Sequence, residues 1–277
     1  LGAIAIATKR PGQDFGFNLA GTYTTGLDAV RLDGGADVPL GGGFALRAAM
    51  MVNNEQGYIT NNYLKRTERD NEEASGRITL DGPLGENGNL TIIYQHDRMR
   101  TNGQNLELLS DPNGRINATA ARYGQSVFDA IGNDLTFSGS VRLNPENPSV
   151  VMPFDNQDGD RATAILEQNL ANNLKLTAQT AYVSWAADRT NDIDFTAYRL
   201  VDISDAEDNE VFSQELRLGT SQPGRFTFNA GVFFYSNKYG IHRTVASDLG
   251  ISLNALARTK TTSWSLFSSG RMEVSDT

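Results

Sequence analysis

Residues 225–235 read RFTFNAGVFFY, and this alternation decides the fold. Phe226, Phe228, Ala230, Val232 and Phe234 fall on one face, while Thr227, Asn229 and Gly231 fall on the other. A period of two sustained over this length specifies a strand with one apolar and one wet side.

Working outward, the same template predicts about ten strands, near 15–24, 28–38, 44–53, 73–81, 89–98, 160–170, 174–185, 210–218, 225–238 and 260–270. Val30, Leu32, Ala36 and Val38 share an apolar face, as do Phe44, Leu46, Ala48, Met50 and Val52. Leu174, Leu176, Ala178 and Tyr182 make another such set, and Trp264 and Leu266 the last. The opposite faces carry Arg31, Arg77, Arg161, Lys175, Glu215 and Arg217, which is too much charge for a dry core.

The connections are unequal. Pro39–Gly43, Gly82–Gly88, Ala171–Asn173 and Gly219–Gly224 are tight turn signals. The intervening connections, apart from a tight one at Thr25–Gly26, run roughly over 54–72, 99–159, 186–209 and 239–259. A meander with brief turns at one end and long loops at the other is the arrangement of a transmembrane β-barrel. A strand of about ten residues, tilted near 45°, spans the roughly 25 Å apolar band of an outer membrane. Alternation alone also suits a soluble sandwich, but that reading requires dry inward faces.

Composition is compatible with the barrel. The chain has 277 residues, net charge −9 and no cysteine, with a pI near 4.8. That balance argues against the concentrated basic surface a nucleic-acid partner needs, and without cysteine no thiolate metal site or disulfide can form. The mean hydropathy of −0.39 does not count against membrane strands, of which only alternate residues meet lipid. No apolar run approaches the roughly 18 residues of a membrane helix.

Several stretches resemble TonB-dependent outer-membrane receptors, of the siderophore-receptor kind. Leu1–Pro11, LGAIAIATKRP, resembles the end of the plug domain leading into the first barrel strand. Val30–Leu40 with Phe44–Asn53 is similar to the first periplasmic hairpin, with its Val-Pro-Leu turn. Gly57–Ile59 resembles the opening of the next outer loop and Ala74–Leu80 the strand after it. The run FSQELRL at Phe212–Leu218 is the most specific piece. The resemblance implies a 22-stranded antiparallel barrel around a plug. Residues 1–11 would then be the C-terminal end of the plug and 12–277 the N-terminal part of the barrel, with 99–159 as a long outer loop. The expectation is therefore a fragment, with the remaining plug, the TonB box and the rest of the barrel outside it.

The function so implied is TonB-energised uptake of a scarce solute, a ferric siderophore first among them, at the outer membrane of a Gram-negative bacterium. The expected partners are TonB, reached through the missing N-terminal segment, an extracellular small-molecule ligand and outer-membrane lipid. A passive porin or adhesin-type barrel is the alternative. No catalytic constellation and no cofactor motif is present, so no enzyme activity is expected.

The site candidates are modest. Arg31, Arg77, Arg161, Lys175, Glu215 and Arg217 are expected to line a substrate path or contact the plug, although any wet lumen requires such residues. Asp155, Asp158 and Asp160 have the oxygen spacing of a calcium loop but lack its later bidentate Glu, so a polar loop entering a strand is the competing reading. His96 and His242 are expected at outer strand ends. Tyr23, Tyr58, Tyr94, Tyr182, Trp185, Phe234, Tyr235 and Trp264 are candidates for interfacial girdles. Within 99–159, Leu135–Leu143 reads as a loop strand and Ala118–Ile131 as a short helix.

Overall fold

Ten strands pair, each with the next of the ten along the chain, into one antiparallel sheet whose edges are the first and the last of them. The computed structural model describes residues 8–61, 64–103, 146–147, 153–170, 173–193, 201–222, 224–247, 250 and 252–274. The ten are β1 Gly16–Thr24, β2 Ala29–Gly41, β3 Phe44–Glu55, β6 Asp70–Leu84, β7 Gly88–Asn102, β9 Phe154–Leu170, β10 Leu174–Asp192, β11 Asp202–Thr220, β12 Phe226–Ala246 and β13 Ser252–Met272. The short pieces β4 Ile59–Asn61, β5 Arg66–Glu68 and β8 Glu146–Asn147 form a separate small sheet, in which β8 runs parallel to β4. No helix occurs among the described residues. The expected loop strand Leu135–Leu143 and helix Ala118–Ile131 lie outside them.

Pairing brings the apolar residues of successive strands together. Val38 stands opposite Leu46, Leu46 opposite Leu80, Leu80 opposite Ile92 and Ile92 opposite Ala164. The row continues through Thr180 and Gln214 to Phe234 and Trp264. Its two polar members satisfy each other, since the Thr180 hydroxyl donates to the Gln214 side-chain oxygen. Such internal pairing is what a hydrocarbon-facing surface demands.

The register is also staggered. A second row begins on the apolar face at Leu32, Val52 and Ala74, then passes through Arg98 and Asp158 to Asp208 and ends near Arg258. A row perpendicular to the strands thus climbs out of the apolar zone, as it must when strands tilt within a barrel wall.

The burial pattern is inverted relative to a water-soluble domain. Buried hydrophobic residues among those described are Ala29, Ala45, Ile59 and Ala187. Buried polar residues include Asp37, Arg47, Thr79, Thr91, Gln95 and Thr177. Leu32, Met50, Val52, Ile78, Ile92, Phe212 and Leu216, meanwhile, are exposed. A stacked pair of sheets would bury those exposed apolar residues, so the sandwich alternative does not hold.

Short turns set the hairpins at one end. In the β2–β3 turn Gly41, Gly42 and Gly43 have φ of 84°, 61° and 83°, a left-handed run that only glycine sustains at low cost. At the other end the strands are longer than the sequence pattern predicts. Residues 186–192 and 202–209, read as loop, belong to β10 and β11, and most of 239–259 belongs to β12 and β13. The region 99–159 narrows likewise, because β7 continues to Asn102 and β9 starts at Phe154. Above the apolar zone the outward face meets water, so alternation is no longer required there, yet the backbone ladder continues.

Candidate functional site

All six charged candidates lie on the face opposite the apolar belt. Arg31 pairs with its own-strand neighbour Asp33 at 3.6 Å. Arg77 donates from Nε to Gln95 Oε1 at 2.8 Å, and Gln95 donates in turn to Asp97 at 2.7 and 2.8 Å. Asp97 accepts from Ser75 at 2.6 Å and pairs with Arg161 at 3.3 Å. β6, β7 and β9 thereby carry one continuous polar chain from Arg77 to Arg161.

A second chain crosses the next strands. Arg189 on β10 reaches Asp155 on β9 at 3.1 Å on one side and Glu207 on β11 on the other. Tyr239 on β12 donates to Glu207 at 2.6 Å. This chain lies beyond the apolar zone, and there Glu207 holds the Tyr239 proton above the ordinary phenol range. Above it, Arg243 donates to Asp205 at 2.7 and 2.8 Å, an interaction that holds the guanidinium proton more tightly still.

Between the two chains lies a concavity of about 430 Å³ lined by Met51, Asp97, Met99, Arg161, Trp185 and Arg189. Each polar chain holds one of its arginines in place. The arrangement can hold a solute bearing both anionic and flat apolar groups.

The remaining candidates gather near the short turns. Lys175 pairs with Glu167, Arg217 with Glu215 at 3.7 Å, and Lys175 and Arg217 line a shallower concavity of about 230 Å³. The segment before β1 crosses this region. Lys9 reaches Asp37 at 3.1 Å, Arg10 reaches Glu167 at 3.5 Å, and Gln13 donates to the Gly43 carbonyl at 3.1 Å. Arg47 completes the anchor, donating to Asp37 at 2.9 Å and to Asn18 at 2.9 Å.

The structure separates the calcium-loop candidates. Residues 155–160 form strand rather than loop, so Asp155 faces the Arg189 side while Asp158 and Asp160 face outward. Asp158 pairs with Arg100 at 2.6 Å, and Asp160 accepts from Tyr94 at 2.6 Å and contacts His96 at 3.0 Å. His96 and His242 lie inside β7 and β12 rather than past their ends. Among the described residues no three potential ligands come together around a metal-sized space. Of the girdle candidates, Tyr23, Tyr94, Tyr182, Phe234 and Trp264 share the outward face, in register with Val30, Ala162, Phe212 and Gln214. Trp185 and Tyr235 face the other way, and Tyr58 precedes β4.

The sequence reading missed Arg189, Tyr239 and Arg243, which lie in stretches taken as loop, and it read Asp205 and Glu207 as part of a solvated acidic loop run, whereas they lie within β11 and pair across strands. The signal that could have found them is charge complementarity between segments flanking a turn, such as Arg189 with Glu207.

No protein-family model matches the chain, and no curated protein matches it. Solved structures do. The ferric-catecholate import receptor Fiu from E. coli K12 is 13% identical over 97% of this chain and 43% of its own, with a TM-score of 0.68. The siderophore receptor PiuA from Acinetobacter baumannii is 14% identical, over 97% of this chain and 41% of its own, at 0.67. FpvA from P. aeruginosa, solved bound to pyoverdines, is 15% identical over 97% and 36%, at 0.69. The chain therefore spans less than half the length of each and shares the fold of that part.

Proposed function

We propose that this chain is the N-terminal part of the barrel of a TonB-dependent outer-membrane receptor, residues 1–11 being the end of its plug, and that the whole protein imports a ferric siderophore. The observation that carries the reading is the inverted burial, with a greasy belt in register across ten strands and hydrogen-bonded charge on the other face. The fold shared with import receptors supports it. So does the segment Lys9–Gln13, which is tied to β2, β9 and the β2–β3 turn on the polar face, where a plug would enter the lumen.

On this reading Arg161, Arg189 and Trp185 contact cargo on its way down. Arg77 and Asp97 position those contacts, while Lys175, Glu215, Arg217 and Arg31 border the plug. Loops and wall supply affinity, TonB acting through the plug supplies the work, and no covalent bond is made or broken.

The test is uptake of radiolabelled iron, presented as a ferric catecholate, by cells making the full-length protein with TonB intact or disrupted. Uptake requiring both proteins is expected. Uptake that persists without TonB would favour a passive porin instead, and none in either strain would remove ferric catecholates from the reading.

A further inference from the structure

Gly159 stands on the inward face within β9, with Asp97 of β7 directly opposite on one side and Trp185 of β10 on the other. A glycine inside a strand weakens it, and neither backbone nor crowding requires one here. Its φ lies outside the left-handed region. Among the described residues an added Cβ would meet nothing closer than Trp185 Cβ at 3.6 Å and the Ser184 carbonyl oxygen at 3.7 Å. No atom of the indole ring comes within 4 Å of that point.

An aromatic residue opposite a strand glycine can fold over it and make good the missing side chain. Trp185 is drawn the other way. The Asn209 amide on β11, oriented as its neighbours require, accepts from Trp185 Nε1 at 3.0 Å and donates to Asn237 Oδ1 at 2.6 Å and the Lys238 carbonyl at 3.1 Å. The other neighbours of Gly159 are held back as well. Gln157 donates to Asp155 at 3.1 and 3.2 Å, and Asp97 is engaged by Ser75, Gln95 and Arg161. None of these strands is an edge of the sheet. What results is a slot in the floor of the 430 Å³ concavity. Its walls, Asp97 and Trp185, stand two strand spacings apart, roughly 9.5 Å between backbones. That leaves the width of one side chain.

We propose that Gly159 is a specificity-determining residue, opening a slot that receives a flat aryl ring of the imported solute, and that Asn209 is the positioning residue that keeps Trp185 from closing it. The inference rests on the import reading given above and deepens it by naming the group the wall admits. A ring standing on edge fits beside Trp185, while Arg161 and Arg189 at the rim meet its anionic oxygens. A puckered or branched group is too thick.

The experiment measures binding of radiolabelled iron, presented as a ferric catecholate, to outer membranes holding the full-length protein. Gly159→Leu should raise the half-saturating concentration about tenfold, the order of one lost aromatic stack. Its unfolding midpoint should be no lower than that of wild type, because the strand gains a side chain without a clash. Asn209→Ala should raise the half-saturating concentration several-fold, and should add nothing in a Trp185→Ala background. Wild-type affinity in Gly159→Leu would overturn the slot, and an equal Asn209→Ala effect in both backgrounds would overturn the positioning role. A second readout needs no cargo. In a background free of other cysteines, Gly159→Cys should react faster with benzyl methanethiosulfonate than with its cyclohexylmethyl analogue, each rate taken relative to free glutathione. Adding Asn209→Ala should slow the benzyl reaction several-fold. Equal relative rates would overturn the flat-ring assignment. An unreactive Gly159→Cys would mean that the slot is covered, which overturns the proposal while TonB-dependent iron uptake leaves the import reading intact. A wild type that binds no ferric catecholate, with the labelling as expected, removes that cargo from the import reading and upholds the slot.

Discussion

Arg243 and Asp205 face each other across β12 and β11, joined by two hydrogen bonds at 2.7 and 2.8 Å. The two ends of this clamp differ, since the Asp205 side chain is 8% exposed and that of Arg243 is 47% exposed. Arg243→Met leaves a buried carboxylate without its donor, at a cost of about 1–3 kcal/mol. Asp205→Asn leaves a guanidinium that water can solvate, and costs less. Urea-unfolding midpoints of the detergent-solubilised full-length protein should fall further for Arg243→Met. Equal falls would mean that the carboxylate is wetter than the structure shows.

Asp37 and Arg47 make a more buried pair, with side chains 7% and 10% exposed. Removing one partner of a buried pair costs about 3–5 kcal/mol, while replacing both with well-packed apolar residues is often neutral. Asp37→Ala should therefore lower the unfolding midpoint strongly, and Asp37→Ala/Arg47→Met should recover most of the loss. Because Lys9 also binds Asp37, trypsin should cleave after Lys9 faster in Asp37→Ala, read by mass spectrometry.

Phe44 lies over Gly82, where an added Cβ would sit 2.6 Å from the ring carbon Cγ. Gly82→Leu must displace the ring, and overpacking of this kind costs about 1–3 kcal/mol. A lower midpoint for Gly82→Leu, largely restored by adding Phe44→Ala, is the expected result in thermal unfolding followed by gel mobility.

Trp185 lines the 430 Å³ concavity between Arg161 and Arg189. A bound ferric catecholate should quench its emission saturably, measured as the difference between wild type and Trp185→Phe. Arg161→Ala or Arg189→Ala alone should raise the half-saturating concentration about tenfold, the order of one lost charged contact, and the double variant about a hundredfold.

All ten strands of the main sheet were legible in the sequence, because lipid contact forces every second residue to be apolar. Their upper ends were not. Beyond Trp185 on β10 and before Glu210 on β11 both faces are polar, so the period-two signal stops although the backbone ladder continues, and only cross-strand charge pairs such as Arg189 with Glu207 mark it. For the same reason Asp155–Asp160 reads as a loop although it is strand. The inward position of Arg161 and Lys175 followed from parity alone, but their partners Asp97 and Glu167 depend on register between strands. Register is set by turn geometry, which residue types fix only loosely.

The central claim is that even and odd residues of β11 and β12 face different media. The chain has no cysteine, so cysteines introduced singly at Leu216, Val232, Glu215 and Arg217 of the full-length protein, in a background free of other cysteines, report on this directly. In outer membranes, Leu216→Cys and Val232→Cys should react with a lipid-soluble maleimide and resist a charged, water-soluble one. Glu215→Cys and Arg217→Cys should show the opposite preference. Uniform reactivity of all four toward the charged reagent would contradict the account.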